Sequence, residues 1–582
     1  MKSLQDKVAA LRGKLAELDI SGFIIPHDDE YQNEYLPPAA ERLTFISGFT
    51  GSSGTAVVLE KTAALFVDGR YTLQAPLETD TSVYTLKNTP KDSVSEWVKA
   101  ELPENGKLGY DPWLHSEDWV RNAKKKGLDL VAVSANPLDA IWNDRPALLS
   151  SPAVPHPLCF AGESHEDKRK RLAEALRKDG DEAFVVTRQD SLAWLLNIRG
   201  ADVPHTPFAL GFAILHADAT VDLFILPEKI GPETKAHLGP DIRLHPPSAF
   251  VPRISQLAGQ VKLAADPAAA ASAIFAAADR KISPLTDPCT LPKACKNATE
   301  LEGTQNAHRR DGVALVRFLF WLSQQTGVDE LAVMAKLRGF RAEGNHFRDL
   351  SFETIAGSGP NGAIVHYRAS EKTNRTLQQG EFLLLDSGAQ YLDGTTDVTR
   401  TIAIGPVSPE MKNRFTRVLK GHIGVASAVF PVGTTGSALD SMARRPLWEA
   451  GLDYNHRTGH GVGSYLSVHE GPGYIGAKEQ VPLQPGMVIS NEPGYYKTGA
   501  YGIRIESLVA VEQVKIEGAE REMLGLRTLT LCPIDRNAID VDLLTAAERD
   551  WLNAYHQRVW TELAPALNTE EQLWLKAATA AL

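Results

Sequence analysis

Along the first 18 residues, Leu4, Val8, Leu11, Leu15 and Leu18 recur at the spacing of one helical face, which predicts an amphipathic helix over 3–18. Short apolar runs follow: SGFIIP at 21–26, TAVVL at 55–59 and AALFVD at 63–68 read as strands, and SVSEWVKAEL at 93–102 as a further helix. Alternation of this kind predicts an α/β unit. IWNDRP (141–146) and SSPAVPHP (150–157) are polar and Pro-rich, and read as a linker. The same order then restarts, with a helix over 164–180 and the strand DEAFVVT at 181–187. ISGFIIPHDDEYQNEY…LTFISGFTG (20–51) and DEAFVVTRQDSLAWLLNIRG (181–200) each run from a β-segment through a polar turn to an aromatic-containing apolar segment ending in Gly. That weak internal repeat suggests a duplicated α/β domain. A long helical pattern over 296–325 opens a third unit of different texture. The predicted divisions are 1–150, 151–295, 296–535 and a helical tail over 536–582, and the predicted fold class is α/β with an α+β third domain.

Composition narrows the picture. At about 150 residues per domain, 582 residues exclude a single core. Hydrophobic residues make up 43% and charged residues 23%, which excludes disorder. The net charge of −11 argues against nucleic acid and anionic membranes as general partners. No stretch approaches the roughly 20 uninterrupted apolar residues of a membrane span, and the N-terminus lacks a signal-peptide centre, so the expected location is cytoplasmic. Cys159, Cys289, Cys295 and Cys532 are scattered, with no C-x-x-C pair. SGFTGSSG lacks the Gly-Lys-[Ser/Thr] ending of a phosphate loop and reads as a tight turn.

His, Asp, Glu and Gly concentrate between 353 and 506. In EFLLLDSGAQYLDGTTDVTRTIAIG (381–405) the apolar run ends at Asp386, YLDG reads as a turn, and the returning strand carries Asp397. Antiparallel pairing would set the two acids nearly opposite, with Cβ atoms about 5 Å apart. One of them would keep its proton unless a cation lay between them, although two surface acids at a turn give the same pattern. HRTGHGVGSYLSVHEGP holds His456, His460 and His469 among glycines that disfavour a helix. Glu492 lies in the turn SNEPGYY, and in YGIRIESLVAV strand alternation sets Arg504 and Glu506 on one face. Asp386, Asp397, His460, Glu492 and Glu506 make four carboxylates and one imidazole, a set suited to Mn²⁺, Co²⁺, Zn²⁺ or Fe²⁺. Four carboxylates can neutralise two divalent cations, so a bridged pair about 3.5–4 Å apart is plausible.

The order Asp, Asp, His, Glu, Glu, in DSGAQY…DVTRT, TGHGVG…VHEGP, NEPGYY and GIRIES, resembles the metallopeptidase family of methionine aminopeptidase, prolidase and aminopeptidase P, whose catalytic fold is called pita-bread. ISGFTGSSGTAVV, FVDGRYTLQA, IWNDRP, LAWLLNIRGADVPHTP and FRDLSFETIAGSGPNGAIVHY resemble that family's three-domain, cytosolic-type Xaa-Pro aminopeptidase branch, in which two creatinase-like α/β domains precede the pita-bread domain.

The resemblance implies that Asp386, Asp397 and Glu506 bind one metal and that Asp397, His460, Glu492 and Glu506 bind the other. It implies Mn²⁺, with Co²⁺ or Zn²⁺ as alternatives, and a bridging hydroxide that attacks the carbonyl before proline while Glu492 shuttles the proton. His366, His456 and His469 match the family's non-ligand catalytic histidines, which contact substrate. Arg70 in DGRY matches a substrate-reaching arginine, Tyr496 is a candidate for the site wall, and Arg504, which beside Glu506 would orient a ligand carboxylate, is counted with the substrate-binding residues, although an R-x-E step alone also suits a surface pair. The implied partners are peptides with proline at position two and a second copy of the chain in a homodimer. An X-Pro dipeptidase of the prolidase type and a non-catalytic peptide-binding protein are the alternatives, the latter disfavoured because no ligand is missing.

Overall fold

The computed structural model describes residues 3–582. It divides into two compact units, one ending its first stretch at Pro157 and resuming over Glu163–Thr290, the other built from Leu158–Gly162 and Leu291–Leu582.

In the first unit, helix α1 (Leu4–Glu17) starts at a capping box in which Ser3 and Asp6 satisfy each other's backbone N–H groups. Strands β1 (Gly22–Pro26), β2 (Thr55–Leu59), β3 (Ala63–Val67), β4 (Thr85–Asn88), β5 (Leu108–Tyr110) and β6 (Leu130–Ala132) form one sheet in the order β4-β3-β2-β1-β5-β6. Strand alternation sends Phe23, Ile25, Val58 and Leu65 to one face, against Val8, Leu11 and Leu15 of α1. It sends Ile24, Val57 and Phe66 to the other face, against Val98 and Val120 of helices α2 (Val94–Glu101) and α3 (Glu117–Lys125). Both faces are therefore covered, which is why these strands read as near-continuous apolar runs.

A second sheet is built from β7 (Ala183–Val186), β8 (Phe212–His216), β9 (Val221–Phe224), β10 (Ile242–His245), β11 (Leu263–Ala265) and β12 (Ser283–Pro284), in the order β10-β9-β8-β7-β11-β12. Each pairing repeats its counterpart: β1–β2 and β7–β8 are antiparallel, β1–β5 and β7–β11 parallel, β3–β4 and β9–β10 parallel. The weak sequence repeat thus corresponds to a full repeat of topology.

The second unit is organised around helix α4 (Ala298–Ser323), capped by Asn297 and Glu300. Helix α5 (Glu330–Ala342) packs beside it. Strands β13 (Ile355–Ser358), β14 (Glu381–Ser387) and β15 (Val398–Ile404) form an antiparallel sheet with β14 at its centre. Leu383 and Leu385 of β14 join a core with Leu315 and Phe318 of α4. The alternate residues Phe382 and Leu384 face the other way, and Asp386 follows in that phase. Strands β16 (Val429–Pro431), β17 (Val488–Asn491), β20 (Ser507–Val514) and β21 (Met523–Thr528) form a second sheet, with β18 (Gly494–Lys497) and β19 (Tyr501–Arg504) as a hairpin inserted before β20. Beyond residue 535 the chain forms helices α6 (Ala546–Leu563) and α7 (Thr569–Ala578), and Leu552, Val559, Leu563 and Leu575 enter the same core as Val316, Phe382 and Phe415.

The register differs from the expected one. Asp386 opposes Thr399, and Asp397 lies just before β15, two positions ahead of Thr399 in the chain. The pairs inside the connection, Gln390↔Thr395 and Tyr391↔Gly394, continue the same register, so the hairpin turns at Leu392–Asp393 and Asp397 falls two positions short of the partner of Asp386. The segment 501–511 is likewise not one alternating strand, since Ile505 and Glu506 fall between β19 and β20.

Arg341 of α5 is fully buried against Asp311 of α4, at 2.8 and 3.0 Å, with the Tyr391 hydroxyl donating to the same carboxylate at 3.0 Å. Asp311→Ala would strand that guanidinium, so a loss of roughly 3–5 kcal/mol of stability is expected. A urea-unfolding series on the variant would show it as a lowered midpoint at unchanged slope.

Candidate metal centre

Five side chains from four separate segments converge in the second unit. Asp397, His460 and Glu506 bring one donor atom each within 4.8 Å of one another. Asp397 Oδ2 lies 3.4 Å and Glu492 Oε1 3.5 Å from His460 Nε2. Asp386 projects from the end of β14, and its Oδ2 accepts from Arg504 Nη2 at 2.6 Å.

His460 lies in an extended pair of residues, Gly459–His460, and the flanking glycines are what let it reach the group. A Cβ on Gly459 would lie 1.9 Å from the Ser490 carbonyl oxygen, and one on Gly461 2.0 Å from that of Glu470. His460 Nδ1 faces the Gly461 carbonyl at 3.0 Å. A carbonyl only accepts, so Nδ1 carries a proton, and Nε2 is the ring atom turned to the carboxylates, the one that would ligate a metal once its own proton is displaced. Ser490 was not singled out by sequence reasoning, yet its Oγ donates to Glu492 Oε1 at 3.1 Å and accepts the His460 backbone N–H at 2.9 Å. Thr399 was also missed, and its hydroxyl donates to Glu506 Oε2 at 2.7 Å. A small hydroxyl residue beside each acid, in SNEP and DVTRT, was the available signal.

The donor set fits divalent cations. Asp386 Oδ1, Asp397 Oδ1 and Glu506 Oε1 are buried and have no hydrogen-bond partner, although buried carboxylate oxygens are ordinarily satisfied. Burial, followed by the charges of its neighbours, moves each shifted acid upward. Asp386 is pushed to about 6 by desolvation and by Asp397, with Arg504 opposing. Glu492 is raised by burial and by Asp397, and Glu506 well above its usual range by burial and by Asp397, Asp386 and Glu492. Burial opposes charge on His460, but its hydrogen bond to Asp397 and the charge of Glu492 prevail and lift it to about 9. Arg504 and a protonated His460 offset only part of the charge of these four acids, and two divalent cations would supply the rest.

The remaining candidates surround this group. Arg504 is buried and donates through Nη1 to the Tyr496 hydroxyl at 2.6 Å and through Nη2 to the Val365 carbonyl at 3.3 Å, so it holds the peptide preceding His366. Because Arg504 can only donate, Tyr496 uses its own proton toward His456 Nε2 at 2.9 Å, and His456 Nδ1 meets the Arg457 carbonyl at 2.7 Å. Burial pushes the Tyr496 phenol up to about 12, which keeps that proton in place. His469 stacks edge-on against His460, with ring centroids 4.3 Å apart. His366 is half-buried, on a loop tied down by Glu330 of α5. Glu330 accepts from the Ser358 and Arg375 N–H groups, the Asn361 amide and the Tyr367 hydroxyl at 2.7–3.1 Å, a third residue that sequence reasoning did not mark. Arg70 belongs to the first unit, where Asp68 clamps its guanidinium at 2.7 and 2.9 Å.

Comparison with known proteins agrees with this architecture. Residues 302–513 match metallopeptidase family M24, 7–141 and 144–300 each match a creatinase/prolidase N-terminal domain, and 522–582 match the C-terminal region of peptidase M24. The fold and the buried donor set therefore define an M24 metallopeptidase with two creatinase-like domains ahead of a pita-bread domain. The "Probable Xaa-Pro aminopeptidase P" of Paracoccidioides brasiliensis is 39% identical over 98% of both chains, and that of Laccaria bicolor is 39% identical over 98% of this chain and 92% of its own. The chain belongs to the Xaa-Pro aminopeptidase P family. Among solved structures, the X-prolyl aminopeptidase of Caenorhabditis elegans, a cytosolic enzyme with a di-nuclear active site, superposes with a TM-score of 0.96 at 34% identity over the whole of both chains. The Xaa-Pro dipeptidase of Bacillus anthracis (25% identity, TM-score 0.53) is matched over 99% of its length but covers 64% of this chain. No helix among the described residues is long and apolar enough to cross a membrane.

Raised carboxylate pKa values mean that the folded protein binds these protons more tightly than the unfolded chain. For Asp386 that contribution to stability is complete below the usual value of 3.8 and is lost as pH rises through about 6. His460 acts in the same sense, losing its contribution as pH rises through about 9. Divalent cations displace these protons, so saturating Mn²⁺ should raise the melting temperature more at about pH 7.5 than at about pH 5.5. Thermal melts showing equal increments at the two pH values would contradict this account of the group.

Proposed function

We propose that the chain is a metal-dependent aminopeptidase that removes the first residue from peptides whose second residue is proline. The observation carrying this reading is the buried donor set, with Asp397, His460 and Glu506 converging within 4.8 Å and three carboxylate oxygens lacking any partner. Asp386, Asp397 and Glu506 are assigned to one cation, and Asp397, His460, Glu492 and Glu506 to the other. When bound, two divalent cations acidify a water and polarise the scissile carbonyl.

The chain's own groups do the rest. An X-Pro bond has a tertiary nitrogen with no N–H, so departure of the proline needs a proton delivered to that nitrogen. Glu492 is assigned to hold it. Its side chain is 16% exposed against 4% for Asp397 and 11% for Asp386, which makes it the most accessible carboxylate of the three. Burial raises its proton affinity, as an acid acting near neutral pH requires. His366 and His469 are assigned as donors to the developing oxyanion and the substrate backbone. His456 is assigned to the same wall through its bond to Tyr496, which Arg504 aligns from the other side. The substrate role of Arg70 rests on the family resemblance alone. The same reading takes Mn²⁺ as the resident metal, with Co²⁺ or Zn²⁺ as alternatives, a cytoplasmic location, which the description of the nematode neighbour supports, and a homodimer as the assembly.

Metal-loaded protein is expected to release the first residue from X-Pro-Y tripeptides. Cleavage confined to X-Pro dipeptides would move the assignment to prolidase. Glu492→Gln should lower kcat by about 10²–10⁴-fold in the same assay, and Asp397→Asn or His460→Ala should abolish turnover.

A further inference from the structure

Arg400 is 3% exposed, yet no carboxylate among the described residues is hydrogen-bonded to it. Its five N–H groups meet the carbonyls of Thr399 (2.9 Å), Glu506, Cys532 (2.8 Å) and Pro533 (3.1 Å) and the hydroxyls of Ser507 (3.4 Å) and Tyr555 (2.9 Å). A buried cation without a paired anion is tolerated only while its hydrogen bonds are complete. The last of these acceptors comes from α6, at the far end of the sequence.

Strand alternation puts Arg400 on the face of β15 opposite to Thr399, which holds the Glu506 carboxylate. Glu506 is consequently gripped on three atoms. Thr399 Oγ1 donates to Oε2 at 2.7 Å, the Thr399 carbonyl accepts the Glu506 N–H at 3.1 Å, and Arg400 Nη1 donates to the Glu506 carbonyl. Only Oε1 is left without a partner. Tyr555 anchors the rear of this clamp. Its hydroxyl accepts from Arg400, and it also meets the carbonyls of Cys532 at 2.8 Å and Thr530 at 3.1 Å. The ring is fixed by stacking on Trp551, with centroids 5.4 Å apart and planes 9° apart, and the next residue, His556, accepts the Ile534 N–H through Nε2 at 3.1 Å.

We infer that Arg400 and Tyr555 are positioning residues for Glu506, so that the C-terminal helix α6 is part of the metal-holding scaffold. The inference rests on the assignment of Glu506 as a ligand of both cations. Removing the Tyr555 hydroxyl takes away one of the acceptors of the guanidinium while leaving the ring on Trp551, and the clamp on the Glu506 backbone slackens without a cavity.

The test is calorimetric titration of metal-free protein with Mn²⁺, with tripeptide turnover measured at limiting and at saturating Mn²⁺. Tyr555→Phe is expected to weaken Mn²⁺ binding by about 10–100-fold, the usual cost of losing a group that supports a ligand, and Arg400→Lys by at least as much. At limiting metal kcat should fall with KM unchanged, and saturating metal should restore it. Gln557→Ala, on an exposed position of the same helix, should match the wild type. A role confined to folding would lower the melting temperature of metal-free Tyr555→Phe and leave its Mn²⁺ affinity untouched, and that result overturns the inference. If Arg400→Lys fails to fold, Tyr555→Phe alone decides. Wild-type protein that binds no Mn²⁺ would overturn the metallopeptidase reading and this inference with it. Wild type binding two ions with both variants unchanged would overturn this inference only.

Discussion

The second unit is arranged around a repulsion. Asp386, Asp397, Glu492 and Glu506 are held in a volume from which most water is excluded, where burial and the neighbouring charges raise the proton affinity of Asp386, Glu492 and Glu506. No folding force favours such a group, so it persists only because the surrounding structure over-determines it. Asp386 is fixed in phase by the apolar alternation of β14. His460 is admitted by glycines that leave room for neighbouring carbonyls. Thr399 and Arg504 each engage one oxygen of an acid and leave the other open, and Ser490 engages Glu492 Oε1. What stays open is a set of carboxylate oxygens facing one another beside the His460 ring, the complement of positive charge.

Much of this was legible in the sequence because the acids interrupt strongly patterned segments. An aspartate ending four apolar residues and a glutamate in an R-x-E step are conspicuous against a strand's period of two. The register was not legible. The hairpin closes at Leu392–Asp393, and the spacing of the two acids does not by itself place the turn there rather than one residue earlier. Nor was the interruption at Ile505–Glu506, since the alternation of Arg504, Ile505 and Glu506 runs on from β19 and all three are buried. Arg400 and Tyr555 lie 155 residues apart, and neither local period nor spacing joins them. Their relation arises from the packing of α6 into the core.

The first unit presents the converse case. Its repeat is faint in the sequence, where a few aromatic and glycine positions agree, and complete in the topology, where six strands recur in one order with the same parallel and antiparallel pairings. Covered sheets tolerate apolar exchange as long as volume and alternation are kept, so sequence drifts while strand order does not. The acids behave differently, because each has a geometric task that no neighbouring residue type performs.

The core of the second unit has a consequence for biosynthesis. It joins Val316 and Phe382 to Leu563 and Leu575. The cores of the first unit draw on residues between Val8 and Ile282 alone. During translation the first unit can therefore close while the ribosome is still at work on the second. The second must wait, with β14 and β15 already made, until residues near 575 have emerged. A growing chain thus carries all five candidate ligands well before it can bury them, and the centre matures at the close of synthesis, once α6 and α7 have docked.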